Sequence, residues 1–450
     1  MELNNKRVLV VGLGKSGLAA ARFLKARGAR VTVSDARPAM LIAELPMLLD
    51  EGYMVEAGSH GLLTFRRQDL IVVSPGVPMS TPELKQVRAM GMHIIGELEL
   101  GAQFLQGEVI GITGSNGKTT TTTLMGEILK ASGRTTLVGG NIGRPVTELA
   151  EESLPDSWSV LEVSSFQLET VETFKPRIAM VLNITPDHLD RHGSFENYAA
   201  AKARITEFQT ADDFLVLNAE DVKTQMVAAK TKAQIYWFST KRQIKQGAFV
   251  HGESIFFIAK EGAKPEPVMP VAEIPLAGAH NVENVLAAVC AARLAGVESG
   301  VIRAAVAAFK AVEHRLEFVR EVEGVRYYND SKATNVDATV KAVEAFEGGV
   351  WLILGGKDKN SDYATMSALL RERVKGVLTI GSAAEKIERQ LAGVVKIERA
   401  DTLERAVALA HEAADAGDVV LLAPACASFD QFENYEHRGR VFKELVQTLV

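Results

Sequence analysis

The chain is expected to fold as an α/β protein of three domains, with mostly parallel sheets covered by helices. Three observations lead there. Short apolar strands alternate with amphipathic helical stretches from end to end. Two glycine-rich turns, at 12–17 and 111–119, each join an apolar strand to a helix. The 450 residues correspond to about three domains, each long enough for its own core.

The first unit is expected over 1–96. Strand Val8–Val11 runs into Gly12-Leu13-Gly14-Lys15-Ser16-Gly17. A helix Leu18–Arg27 follows, stopped by Gly28, and then strand Arg30–Ser34 ending at Asp35. A further apolar strand, Asp69–Val73, ends in Ser74-Pro75-Gly76. The glycine spacing fits a dinucleotide fingerprint, with Asp35 where an acid holds a ribose, and taken alone it predicts NAD. The same turn cradles any pyrophosphate, or merely packs helix on strand.

The second unit is expected over 97–311. Gly111-Ile112-Thr113-Gly114-Ser115-Asn116-Gly117-Lys118-Thr119 follows the apolar run Val109–Ile112 and opens the helical stretch Thr120–Lys130. That is a strand–loop–helix phosphate cradle. Glycines let backbone N–H groups approach phosphate oxygens, and the helix N-terminus adds partial positive charge. Lys118 reaches β- and γ-phosphates, and the Thr119 hydroxyl suits Mg²⁺. The generic spacing needs glycine at 112, where Ile112 stands, so the loop is a longer variant. An ATP site is expected here, formed by Gly114, Ser115, Asn116, Gly117, Lys118, Thr119 and Thr120.

Glu162 sits at the end of strand Ser159–Val163, where a Mg²⁺ ligand belongs; an edge-strand glutamate in a salt bridge stays open as the alternative. After strand Ala179–Ile184, Pro186-Asp187-His188-Leu189-Asp190-Arg191-His192 leaves at the carboxyl edge of the sheet, where open α/β folds bind ligands. Lys202 lies on a helix around Asn197–Phe208, and sequence physics alone reads it as a solvated lysine. The polar stretch Ser239–Val271 reads as a β-rich insertion, and a turn Gly278–Asn281 opens the next helix.

The third unit is expected over 312–450, with strands Val325–Tyr328, Val350–Leu354, Gly376–Ile380 and Val419–Leu422. Three polar turns follow strands: Asp330-Ser331-Lys332-Ala333-Thr334-Asn335, Gly355-Gly356-Lys357-Asp358-Lys359, and Ala423 to Phe432. Lys332 supplies charge for an anionic substrate, and Thr334 with helix N–H groups suits carboxylate oxygens. A second substrate site facing the ATP loop is expected.

Composition narrows the partners. Fifty basic against 56 acidic residues give a net charge of −6, which argues against nucleic acid. Cys290 and Cys426 stand in apolar surroundings and read as reduced, buried side chains. The apolar run near the N-terminus is broken by Gly12, Gly14 and Lys15, and no run approaches the ~18 residues that span a bilayer. No membrane insertion and a cytoplasmic location are expected.

Together these residues resemble the Mur ligase family. The marks are the elongated phosphate loop, Glu162-x-Ser164-Ser165-Phe166-Gln167, Thr185-Pro186-Asp187-His188-Leu189-Asp190-Arg191-His192, Gly278-x-His280-Asn281-x-x-Asn284 and His314-Arg315. Asn329–Asn335 and Pro424–Phe432 resemble the members that add D-glutamate to UDP-N-acetylmuramoyl-L-alanine. The resemblance implies a Rossmann-like N-terminal domain binding UDP and no NAD, a central phosphate-loop ATPase domain, and a Rossmann-like C-terminal domain bringing D-glutamate. It implies amide formation driven by ATP through an acyl phosphate, with two Mg²⁺ sites.

Residue by residue, the resemblance places the UDP-sugar against Gly14, Lys15, Ser16, Asp35, Arg37, Ser74, Pro75 and Gly76. Asn141, Ser164, Gln167 and His188 match positions near the muramoyl-alanine arm. Asn281, Arg315 and Asp330 match adenine and ribose contacts. Lys332, Thr334, Lys359, Ser428, Phe429 and Tyr435 match the D-glutamate pocket, with Lys359 favoured over Lys357. Thr119 and Glu162 would hold one metal and His188 a second, helped by Lys202 as its CO₂-derived carbamate. Lys118, Lys202, His188 and Lys332 are the expected catalytic groups. Ser115 stands where threonine is frequent, and Phe429 where some relatives have leucine. A monomer is expected. A sibling ligase or a folylpolyglutamate synthase-like enzyme is the near alternative, a nicotinamide-dependent oxidoreductase the remote one.

Overall fold

Strands built from unbroken Val, Ile and Leu need cover on both faces, and the computed structural model shows how they obtain it. It describes every residue except 277, 311, 312 and 450. The boundary expected at 311/312 therefore lies outside the described residues.

The first sheet has five strands, all parallel, in the spatial order Met54–Ala57, Arg30–Asp35, Arg7–Val11, Leu70–Val73, Ile94–Gly96. Chain order reverses between Arg7–Val11 and Leu70–Val73, which opens a crevice at their carboxyl ends. The glycine-rich turn and Ser74-Pro75-Gly76 both leave the sheet there. The helix begins at Lys15, not Leu18, so Lys15, Ser16 and Gly17 form its first turn and leave N–H groups at the crevice. A Cβ at Gly17 would lie 1.9 Å from the Gly12 carbonyl oxygen, so only glycine lets this helix sit on the turn.

The central sheet has nine strands. Its parallel part runs Gly247–His251, Gln234–Ser239, Phe214–Asn218, Ile178–Val181, Glu108–Thr113, Trp158–Glu162, Thr136–Gly140. Ser254–Ile258 and Glu266–Pro270 extend it antiparallel beyond Gly247–His251. The polar stretch expected as an insertion is thus a continuation of the sheet edge. Helices Lys118–Ala131 and Ala279–Leu294 cover one face, packing Leu124, Ile128, Val285 and Val289 on Ile110, Ile112 and Met180. The strand ending at Glu162 is flanked on both sides, which removes the edge-strand reading of that residue.

The third sheet runs Glu317–Val322, Val325–Asn329, Val419–Leu422, Val350–Gly355, Val374–Ile380, Lys396–Asp401, parallel except for the first pair. Val419–Leu422, late in the chain, inserts between two earlier strands. That insertion brings the three polar turns after 329, 355 and 422 side by side. Cys290 lies in the central core and Cys426 in the C-terminal one, both buried and unpaired.

Glu97 opens the helix Glu97–Ala102 directly after the last strand of the first sheet. Its Oε1 accepts from the Thr147 N–H and hydroxyl, while Oε2 is buried without a hydrogen-bond partner among the described residues. Burial raises its carboxyl to about 7, against Thr147, which lowers it. Stability is therefore full below the ordinary carboxylate range and is lost as pH rises through about 7, by about 3 kcal/mol. Glu97→Gln keeps the acceptor and removes the charge. It is expected to unfold at higher denaturant than the parent at pH 8 and alike near pH 4.5, as measured by chemical denaturation.

Candidate active site

The phosphate loop leaves the middle of the central sheet after Glu108–Thr113. Gly117, at φ +85°, turns the chain into the helix that starts at Lys118. A Cβ there would lie 2.2 Å from Asn284 Oδ1, so the helix carrying Asn281 and Asn284 packs directly on the loop. Lys118 Nζ donates to the carbonyls of Gly114 and Ser115, each at 2.9 Å. Burial lowers its pKa, while Glu162 and Asp187 oppose the shift.

Thr119 Oγ1 donates to Glu162 Oε2 at 2.6 Å, and Asn141 Nδ2 donates to Glu162 Oε1 at 2.8 Å. A hydroxyl and a buried carboxylate are thus paired beside the loop, the oxygen-donor set that suits Mg²⁺. His188 takes a left-handed backbone at φ 52° and stands edge-on to Phe166 at 4.8 Å. Burial depresses its pKa well below the usual histidine range, with Asp187 opposing, so the imidazole is neutral and keeps a lone pair for a metal.

Lys202 is the clearest departure from sequence physics: it is 2% exposed, not solvated. Its Nζ donates to the Gly114 carbonyl at 2.8 Å, one of the two oxygens that also hold Lys118, and lies 4.7 Å from the Tyr198 ring centre. Burial, then the nearby Lys118 ammonium, push its pKa far down. Tyr198 in turn is hydrogen-bonded to Ser115 Oγ at 2.9 Å.

The C-terminal turns face this array. Lys332 Nζ is 3.1 Å from the Tyr435 hydroxyl, and burial lowers its pKa to about 8. Lys359 Nζ pairs with Asp187 at 3.2 Å and lies 3.5 Å from Thr334 Oγ1, whereas the Lys357 side chain is exposed. Burial raises Asp330 to about 6, against the Arg315 guanidinium. Arg315 Nε is buried without a hydrogen-bond partner among the described residues. An orphaned guanidinium N–H beside a phosphate loop fits an anionic ligand such as a triphosphate.

Two adjoining cavities result. One, of about 470 Å³, is bounded by Ser115–Thr119, Glu162, Arg315, Lys332 and Lys15. The other, of about 430 Å³, is bounded by Ser164, His188, Lys202, Ser428, Phe429 and Tyr435. Lys118, Asn141, Asp187, His188, Thr334 and Tyr435 border both, and Lys359 borders the second.

The remaining expected residues fall around these cavities. Lys15 reaches across to the Gly143 carbonyl, while Asp35, Arg37 and Ser74 stay at the crevice of the first sheet. Asp35 accepts from the Leu13 N–H at 2.7 Å and is gripped by Arg37 through two bonds of 2.9 Å. Burial would raise it, but these bonds hold it below its ordinary value. Its carboxylate is engaged within the turn. Gln167 Oε1 accepts from Ser164 N–H and Oγ, capping the short helix Ser165–Leu168, and so stands behind the cavity wall. Asn281 is buried on the helix behind the loop, bonded to Asn284.

Several residues became visible only in three dimensions. Arg191 donates to the carbonyls of Pro75, Gly76 and Val77 and lies over the Phe166 ring, clamping the first domain's turn to the segment bearing His188. Arg438, fully buried, braces Ser331 against Cys426 and Ala427. Asn335 and Asp337 touch the phosphate loop itself. The strand-end position of Asp187 was a usable signal; nothing in the local sequence marked Arg438 or Asp337.

Comparison with known proteins finds matches along the chain. Residues 6–96 match the Mur ligase MurD-like N-terminal domain, 112–292 the Mur ligase middle domain, and 314–426 the Mur ligase glutamate ligase domain. The chain is 66% identical over 447 residues to a UDP-N-acetylmuramoylalanine–D-glutamate ligase of Acidobacterium capsulatum, covering 99% of this chain and 97% of that one. It is 60% identical to the enzyme of that name from Koribacter versatilis, over 100% of this chain and 99% of the other. Among solved structures, a pseudomurein peptide ligase type C from Methanothermus fervidus superposes with a TM-score of 0.63 at 20% identity, covering 98% and 99%. A UDP-N-acetylmuramate–alanine ligase from Thermotoga maritima gives 0.62 at 19% identity, over 99% and 100%. At those identities the two structures speak for the fold.

Proposed function

The chain belongs to the Mur ligase family, and we propose that it joins D-glutamate to UDP-N-acetylmuramoyl-L-alanine at the expense of ATP, in the cytoplasmic stage of peptidoglycan synthesis. The observation that carries this reading is the meeting of Lys118, Lys332, Thr334 and Lys359 around two adjoining cavities.

In this reading the terminal carboxylate of the L-alanyl arm attacks the γ-phosphorus of ATP, and ADP leaves. The D-glutamate nitrogen then attacks the acyl carbon, loses a proton, and inorganic phosphate departs. Anion meets anion in the first step, so the protein's task is charge and placement. Lys118 lies against the triphosphate, Arg315 beside it, and Lys359 with Thr334 orients the amino-acid carboxylates. The first domain's crevice holds the UDP end through Gly14, Lys15, Ser16, Asp35, Arg37 and Ser74–Gly76, and Arg191 keeps that crevice in register with His188. Water is kept from the acyl phosphate by closure of the three domains.

Thr119 and Glu162 suit one Mg²⁺, and His188 with Lys202 a second; when bound, these ions supply positive charge against the phosphate and carboxylate oxygens. An ammonium at Lys202 cannot serve. Its depressed pKa leaves a free amine whose lone pair attacks CO₂; the nitrogen sheds a proton and an anionic carbamate results. The Lys118 ammonium next to it favours that anion.

Phosphate release tests the whole reading. Turnover is expected only with ATP, UDP-N-acetylmuramoyl-L-alanine and D-glutamate together. Release with a different amino acid would make the chain a sibling ligase, and release with a folate would place it nearer the polyglutamate synthases.

A further inference from the structure

Helix Val336–Glu344 starts against the phosphate loop, with Asn335 as its cap. Asp337, in its first turn, accepts at Oδ2 from Asn116 Nδ2 and from Thr185 Oγ1 at 3.3 Å. Lys341 pairs with the same carboxylate at 3.2 Å. Two residues earlier, at the helix cap, Asn335 Nδ2 donates to Asp187 Oδ2 at 3.1 Å and lies 3.4 Å from Asn116 Oδ1. Asn116 is itself pinned: its N–H donates to Asn183 Oδ1 at 2.8 Å, and its carbonyl accepts from Asn183 Nδ2 at 3.1 Å. A single helix start in the C-terminal domain therefore grips both the phosphate loop and the turn bearing Asp187 and His188. Asp337 borders neither cavity.

We propose that Asp337 is a positioning residue that lets the C-terminal domain close only onto a formed phosphate loop, coupling triphosphate binding to assembly of the amino-acid pocket. Asn116 lies between Ser115 and Gly117, so its carboxamide points wherever the loop backbone directs it, and a bound triphosphate holds that backbone. The amino-acid pocket has walls from both domains, Lys202 and His188 on one side, Ser428 and Lys359 on the other. Its walls meet only where these two domains are apposed as they are here. Weakening the Asp337 contact lowers the closed fraction, and apparent amino-acid affinity falls in proportion. The nucleotide-sugar crevice involves the first domain and is untouched. The assignment of D-glutamate as the amino acid rests on the functional reading above; the coupling itself does not.

Asp337→Ala is expected to raise KM for D-glutamate about tenfold, as for loss of a hydrogen bond to a charged acceptor across an interface, with KM for the nucleotide sugar unchanged. Asp337→Asn keeps an acceptor for Asn116 and is expected to restore KM to within about threefold of the parent. Small-angle scattering reads closure without turnover: the nucleotide sugar plus adenylyl imidodiphosphate should compact the parent protein and compact Asp337→Ala less. Equal compaction with an unchanged KM overturns the proposal. So does a uniform rise in all three KM values with a lowered melting temperature, which marks a merely structural role. A parent protein that compacts but does not use D-glutamate would instead overturn the functional reading and leave the coupling standing.

Discussion

Lys118→Ala is expected to abolish ligation while leaving nucleotide-sugar binding intact. The ammonium is held by two carbonyls of its own loop, at 2.9 Å each, on the first residue of a helix whose N-terminus faces the cavity. It is the loop's own cation, set where a carboxylate must approach a triphosphate. Glu162 and Asp187 lie near it, so its removal takes away the positive charge that offsets these two carboxylates beside the phosphate loop. A loss of about 10³-fold or more in kcat, some 4 kcal/mol, follows from removing one preorganised charge at the reacting centre. Coupled phosphate release measures the first half. Calorimetric titration with UDP-N-acetylmuramoyl-L-alanine measures the second, because Asp35, Arg37 and Ser74 lie at the crevice of a separate sheet. Loss of that binding would mean the domains are assigned wrongly.

Lys202→Ala is expected to be nearly as inactive, by about 10³-fold, and partly rescued by formate or acetate. Two roles for this buried lysine are physically distinct. As an amine it braces the Gly114 carbonyl at 2.8 Å; as a carbamate it offers anionic oxygens to a metal. Truncation to alanine opens space the length of a propylamine chain, which a small carboxylate can enter. A carboxylate replaces the carbamate's oxygens and does nothing for a lost N–H donor. Rescue by formate therefore separates the two roles, and a carbamate resonance from ¹³C-bicarbonate checks the modification directly. Activity close to that of the parent protein would remove the carbamate from the mechanism.

Much of this site was legible before any coordinates. Phosphate loops, strand-end acids and helix-opening turns are local objects: their glycines, hydroxyls and charges lie within about ten residues, and backbone sterics dictate their shape. Thr119 and Lys118 stand where the loop spacing put them. Lys359 borders a cavity while Lys357 is exposed; two residues apart, strand alternation would put both on one side, so it is the turn after Gly355 that separates them. The helix start at Lys15 was missed because the glycines of the turn disguised its first residues. The polar stretch after Ser239 was read as separate because its alternation carries no mark of which sheet edge it joins.

What the sequence determined by itself was the three-part α/β architecture, the strand–loop–helix turn at 111–119 and the residue types at each strand-end turn. Only the tertiary structure decided that Lys202 is dry, that Arg438 braces two turns, and that Asp337 meets Asn116 across 221 positions of chain. The reason is physical. Burial and charge coupling depend on strand order and domain apposition, as where Val419–Leu422 slips between two earlier strands, and no periodicity within one segment records what will be packed against it.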